Sequence, residues 1–360
     1  MSVLTGRIWN LLMMIVMTGI AAPVARAEHV TLIAGGGAAE EGRATECKLV
    51  EPFACGLDRA GTLYIAEMSG RILAVDRAGN LRRVAGKLGS GDSGDGGPAA
   101  AAELNAPHNL LVLPSGDVLI ADTMNHRVRK IVASSGKIVP VAGTGRAGYA
   151  GDGGPALNAD FGAIYCLALD ERHNLLYLDD LDNRRIRRID LRSGTVSTVA
   201  GNGIRGTPHD GALAAESPLQ DPRAITVDSK GNLYILERGG NSLRVVDRLG
   251  TIKTIVGTGK PGPPGDGNGL SATLRGPKHL TVDRDDNVLI ADTDNHVIRK
   301  YIVRDGKIVT IAGTGATGSG GLGSPPAELQ LNQPHGVYVD RSGTIFICDS
   351  LNHRVLRIDR

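Results

Sequence analysis

From Pro107 to Gly143 the chain reads PHNLLVLPSGDVLIADTMNHRVRKIVASSGKIVPVAG, and this stretch decides the fold. It contains four short runs, Leu110 to Leu113, Val118 to Asp122, Val128 to Ile131 and Ile138 to Gly143. Gly116, the loop Ala121-Asp122-Thr123-Met124-Asn125-His126 and Gly136 separate them. Alternation, β-branched content and turn punctuation mark each run as a strand, and no helical period is sustained.

The unit recurs along the chain. Its copies start at Pro52, Pro107, Ile164, Pro222, Pro277 and Pro334, at spacings of 55, 57, 58, 55 and 57 residues. Four strands are too few to bury their own faces, so such units pack radially as blades, and six copies predict an all-β, six-bladed β-propeller with four-stranded blades. The fourth-strand signature appears at Val84-Ala85-Gly86, Val141-Ala142-Gly143, Val199-Ala200-Gly201, Ile255-Val256-Gly257 and Ile311-Ala312-Gly313, but repeat six stops at Arg360 without one. The pattern occurs instead at Val30-Thr31-Leu32-Ile33-Ala34-Gly35, ahead of repeat one. The strand at 30–34 is therefore predicted to complete blade six, closing the ring and removing two open sheet edges.

The loops Asn125-His126-Arg127, Asn295-His296-Val297 and Asn352-His353-Arg354, the Ala-Gly-Thr-Gly segments at 142–145 and 312–315, and the Gly-Asp-Gly-Gly-Pro-Ala loops at 94–99 and 151–156 resemble those of NHL-repeat propellers. The resemblance covers essentially the whole chain beyond residue 27. It implies the fold strongly and function weakly, since that family includes extracytoplasmic sensor domains, ligand- and protein-binding modules, RNA-binding propellers and a metal-linked peptide-amidating lyase.

Length and composition agree with a folded chain: 360 residues, 41% hydrophobic, with 50 Gly and only 11 aromatic residues. Residues 1–27 read as a secretory signal peptide, with Arg7 ahead of the apolar run Leu11 to Ala22 and a small-x-small site at Ala25-Arg26-Ala27. A periplasmic or secreted location follows, with 28–360 as one propeller domain. Removing that segment takes away Arg7, Arg26 and no acid, leaving 38 basic and 38 acidic residues. A balanced charge lacks the footprint of a nucleic-acid binder, and no second apolar stretch is long enough for a membrane anchor.

Comparing the six copies separates structural from functional positions. A residue type returning in every blade meets a need of every blade; one that varies at an equivalent exposed place is free to serve a ligand. Gly143-Thr144-Gly145-Arg146-Ala147-Gly148 matches a dinucleotide fingerprint, but no helix follows it. Asp95, Asp152, Asp210 and Asp266 read as turn residues rather than calcium ligands. Asp122, Asp180, Asp292 and Asp349, replaced by Glu67 and Glu237 in blades one and four, are expected to accept loop N–H groups or to pair with Arg129, Arg187 and Arg299. His126, His296 and His353 read as loop-packing groups, and the third-strand Arg/Lys pairs as a solvated face.

The residue after each repeat start differs round the ring: Phe53, His108, Tyr165, Arg223, Lys278 and His335. In a propeller this position sits at the mouth of the central channel. Donors and aromatic rings converging there suit an anionic or polar organic ligand or a protein partner. No metal or other cofactor is predicted, although a channel Zn or Ca ion is conceivable. Blades two, four and six offer His108, Arg223 and His335, and a guanidinium cannot complete a three-histidine zinc set. His279 would contribute only through a twisted strand start. The alternative to a binding module is a metal-assisted lyase or lactonase-type enzyme using His108 and His335, with Glu67, Asp179 or Glu237 nearby. Asp179 is exceptional among Ala66, Ala121, Leu236, Ala291 and Cys348 and requires a partner such as Arg184 or a ligand. For Cys47, Cys55, Cys166 and Cys348, pairing of Cys47 with Cys55 and pairing of Cys55 with Cys348 both remain open.

Overall fold

The computed structural model describes residues 28–359, so the signal-peptide reading of 1–27 lies outside the described residues. Six antiparallel sheets form the six blades, and no α-helix occurs among the described residues. Blade two runs Asn109–Val112, Val118–Asp122, Arg127–Val132 and Lys137–Ala142, each strand paired to the next. Short 3₁₀ turns take the place of helices, as at Ala99–Ala101. No helix among the described residues is long and apolar enough to cross a membrane.

The ring closes as the repeat arithmetic requires. Val30–Gly35 pairs with Arg354–Ile358, from Val30 opposite Ile358 to Gly35 opposite Arg354, and supplies the fourth strand of blade six. Two blades gain a fifth, two-residue strand, Gly42–Arg43 in blade one and Gly267–Asn268 in blade five.

The recurrent glycine of the fourth-strand signature has a steric cause. Gly35, Gly86, Gly143, Gly201, Gly257 and Gly313 all have positive φ, and a Cβ on any of them would collide with the carbonyl at the turn before the third strand. Only glycine meets both demands.

Each blade also carries a buried acid and arginine. The acid ends the second strand and the arginine lies on the third: Glu67 with Arg71, Asp122 with Arg129, Asp180 with Arg187, Glu237 with Arg244, Asp292 with Arg299, Asp349 with Arg354. In all six the acid's other oxygen accepts a backbone N–H from the segment entering the blade, such as Val50 at 2.7 Å, Asn105 at 2.8 Å or Asn332 at 2.7 Å. One carboxylate thereby ties entry loop, second strand and third strand together.

Two expectations need correction. Arg129, Arg187 and Arg299 are fully buried rather than part of a solvated face, because the acids and entry loops close over them. Asp95 and Asp152 do more than turn the chain: they are second counterions, at 2.7 Å from Arg129 and 2.8 Å from Arg187.

Candidate functional site

In five blades the residue two positions before the ring residue is left-handed, with φ of 49° at Glu51, 50° at Ala106, 60° at Asp221, 52° at Gly276 and 47° at Gln333. This turn directs the next two residues toward the axis. Inner strands start at Pro52, Pro222 and Pro334 in blades one, four and six, but only at Asn109, Leu167 and His279 in the others. In blades two and three, as at His335 of blade six, whose N–H donates to Ser350 Oγ at 3.3 Å, the first ladder bonds are partly replaced by side chains. The N–H of His108 donates to Thr123 Oγ1 at 3.2 Å, and those of Tyr165 and Cys166 donate to one Asp179 oxygen at 2.7 and 2.6 Å.

All six ring residues come together. Phe53 stacks on His335, with centroids 4.1 Å apart, and tilts against His108 at 4.8 Å. His108 meets Tyr165 edge-on at 4.5 Å, and the Arg223 guanidinium lies 3.8 Å above the Tyr165 ring. Lys278 Nζ donates to His335 Nε2 at 3.1 Å. The mouth is consequently not the open concavity expected: Phe53, His108, Arg223 and His335 are each less than a tenth exposed, leaving Tyr165 and Lys278 half-buried at the surface. Two aromatic rings and two imidazoles have enough volume to close a sixfold opening by stacking.

The electrostatics of this plug are one-sided. Burial, then the nearby Arg223, hold His108 well below its usual value, and burial with Lys278 pushes His335 down to about 2. Both are neutral imidazoles. Their Nδ1 atoms lie 2.7 Å from the Ala106 carbonyl and 3.0 Å from the Gln333 carbonyl, so each donates there and turns Nε2 outward as an acceptor. Burial also lowers Lys278, and takes Arg223 down to about 10. Arg223 makes no hydrogen bond to any described residue, and its Nε is buried and unpartnered.

Asp179 is the carboxylate whose charge Arg223 feels most, and Arg184 is not its partner. Its Oδ2 is likewise buried without a hydrogen bond, and full burial pushes its carboxyl well above the usual range.

Below the plug, Asn109 reaches across the channel from blade two to His279 of blade five, 2.9 Å from its Nε2. Burial and Arg223 push His279 down to about 4, so this imidazole is neutral as well. The Asn109–His279 contact forms the floor of a cavity of about 650 Å³ that opens at the far end of the channel, with Arg59, Arg341 and Glu171 at its rim. Sequence comparison missed this cavity because inner strands face the axis with backbone edges, which leave no side-chain signature. On the plugged face, a pocket of about 310 Å³ between blades three and four is lined by Asp182, Arg184, Arg205, Asp221 and Arg238. No group of three or more His, Cys, Asp or Glu that could hold a metal ion occurs among the described residues. Of the acids considered for an enzyme, Glu67 and Glu237 are committed to their arginines.

The teneurin NHL domain model matches residues 148–261 and the NHL repeat model matches residues 331–358. NHL repeat-containing protein 2 of Homo sapiens is 25% identical over 341 residues, spanning 83% of this chain and 46% of that protein. Teneurin-1 of Homo sapiens is 27% identical over 289 residues, 73% of this chain and 10% of that protein. The chain thus spans less than half the length of these relatives. An auxiliary nutrient binding protein from Bacteroides ovatus superposes with a TM-score of 0.66 at 16% identity, covering 92% of this chain and 76% of that one. A streptogramin B lyase gives 0.54 at 12% identity, covering 92% and 98%. At these identities the structures share the fold alone.

Proposed function

The chain is an NHL-repeat six-bladed β-propeller, and on that premise we propose that it is an exported recognition module whose plugged channel mouth takes an anionic group of a small ligand. The observation that carries this reading is Arg223. A buried guanidinium without an acceptor is costly, and a carboxylate or phosphate presented at its edge would supply the acceptor it lacks. Tyr165 holds the guanidinium flat, and Lys278 offers a second cation at the same surface. In the adjoining pocket Arg238 is paired to Asp221 at 2.8 Å and Asp182 adds a second acid, but Arg184 and Arg205 leave a positive excess there, so the ligand is expected to extend across the junction of blades three and four. Export rests on the reading of residues 1–27, and a binding role is compatible with the nutrient-binding neighbour.

The test is thermal stabilisation of the purified protein by acetate, citrate and inorganic phosphate against chloride at equal ionic strength. At least one of them should raise Tm in a saturable way, and Arg223→Met should abolish the rise. Equal Tm in all four salts would refute the reading.

A further inference from the structure

At most blade junctions a second-strand residue shares an apolar cluster with a first-strand residue of the following blade. Ala66 does so with Leu110, Ala121 with Leu167, and Ala291 with Val337. At the junction of blades six and one the same two positions are Cys348 and Cys55, again within one cluster. Both depart from the other blades, and they depart together at the seam where the N-terminal strand closes the ring. Blade six leaves room between them. Cys348 pairs with Gly336, where a Cβ would stand 3.1 Å from the Cys348 sulfur and collide with the Phe53 carbonyl of blade one.

We propose that Cys55 and Cys348 are the two halves of a disulfide that staples blade one to blade six. The structure shows the reduced form, with all four cysteines free and buried. Both side chains are buried in the one apolar cluster that fills the seam between the two blades. Cys166 is excluded as a partner because its sulfur is engaged with the Ile225 backbone at 3.4 Å in blade four. Cys47 belongs to the same cluster as Cys55 but sits in the entry segment, its backbone held to Ala39 and Ala44. In the reaction Cys55 and Cys348 each lose a proton and an electron as the S–S bond forms. A disulfide oxidant, such as glutathione disulfide, takes up both electrons and both protons and leaves as two thiols. Cys55 lines the channel cavity and is the sulfur an oxidant meets first. Burial pushes the Cys348 thiol well above its ordinary value, so its thiolate is scarce and exchange in the folded chain is slow. The bond therefore forms during folding.

The experiment is refolding of the chain with glutathione disulfide, then thiol counting in denaturant, intact mass and tryptic mapping. Titratable thiols should fall from four to two. The mass should drop by about 2 Da, and the peptide Leu49 to Arg59 should appear joined to Ser342 to Arg354. The oxidised parent should melt about 5 °C above its reduced form, a difference that vanishes in Cys348→Ala, which carries the residue of blades one, two and five. Four free thiols after oxidative refolding, or Cys55 joined to Cys47, would overturn the proposal.

Discussion

The protein buries arginine in two ways. In the blades the guanidinium is surrounded: Arg129 donates to Asp95 at 2.9 Å, to the Glu103 carbonyl at 2.6 Å and to the Ser93 carbonyl at 3.0 Å, with Asp122 at 3.4 Å. At the channel mouth Arg223, equally buried, has an aromatic face beneath it and no acceptor. An acid paired to a third-strand arginine recurs in six blades and serves the fold; even in blade five, where Arg299 Nε and Nη1 make no hydrogen bond, Asp266 and Asp292 stand 3.6 and 3.7 Å from the guanidinium. The arrangement at the mouth occurs once, and its unmet donors have no structural use. A buried charge held between carboxylates identifies architecture; one with neither an ion pair nor an acceptor identifies a place for something else.

If that distinction holds, equal-looking substitutions have unequal costs. Asp122→Ala removes one of the two counterions of Arg129 and frees the Asn105 N–H and the Asn125 amide, which should cost about 3 kcal/mol and lower Tm markedly. Arg223→Met removes a charge that already lacks partners, and should change stability by no more than about 1 kcal/mol. Thermal melts of the two variants decide it: a large loss from Arg223→Met would mean that the mouth is as structural as the blades.

Acid should strike the mouth next. His279 and His335 have folded values pushed down to about 4 and about 2, and His108 is lowered too. The unfolded chain protonates each of them below about pH 6.5 while the folded chain does not, so stability is complete above that pH and lost as pH falls toward the folded values. At pH 5 His279 and His335 each cost about 2 kcal/mol. Asp179, raised by burial, acts in the opposite sense, as do Asp180 and Asp292, both pushed up to about 6, because the folded chain retains protons that the unfolded chain releases. Against the parent, His335→Phe, which keeps the stack on Phe53, should gain about 2 kcal/mol of stability between pH 7 and pH 5, seen as a Tm difference that moves in its favour on acidification. Parallel profiles in the parent and in His335→Phe would show that this imidazole is not held neutral.

What the sequence made legible follows the same division. The blade count, the closing strand and the acids ending the second strands could be read because each answers a demand posed six times, so the copies corroborate one another. The six ring residues could be located because their position repeats even though their identities do not. Their mutual contacts could not be read, since nothing in the order Phe53, His108, Tyr165, Arg223, Lys278, His335 reveals that rings and imidazoles would stack into a plug. Burial of Arg129, Arg187 and Arg299 was also hidden, because an Arg/Lys pair on a strand gives no sign of which member the entry loops cover. Asp179 stood out by its type, but its pairing with backbone N–H groups of Tyr165 and Cys166 depends on the irregular entry of blade three.

The smallest effect separates two roles for Tyr165. Its ring lies 3.8 Å beneath the Arg223 guanidinium, while its hydroxyl makes no hydrogen bond to any described residue. If the ring alone orients Arg223, Tyr165→Phe should leave both Tm and anion-dependent stabilisation nearly unchanged. Tyr165→Leu should instead weaken the anion response several-fold, because the cation–π contact is worth about 0.5–2 kcal/mol and the freed guanidinium must be ordered again on binding. Loss of the response in Tyr165→Phe would place the hydroxyl, rather than the ring face, in contact with the ligand. The aromatic would then belong to the recognition surface itself instead of supporting the arginine that does the binding.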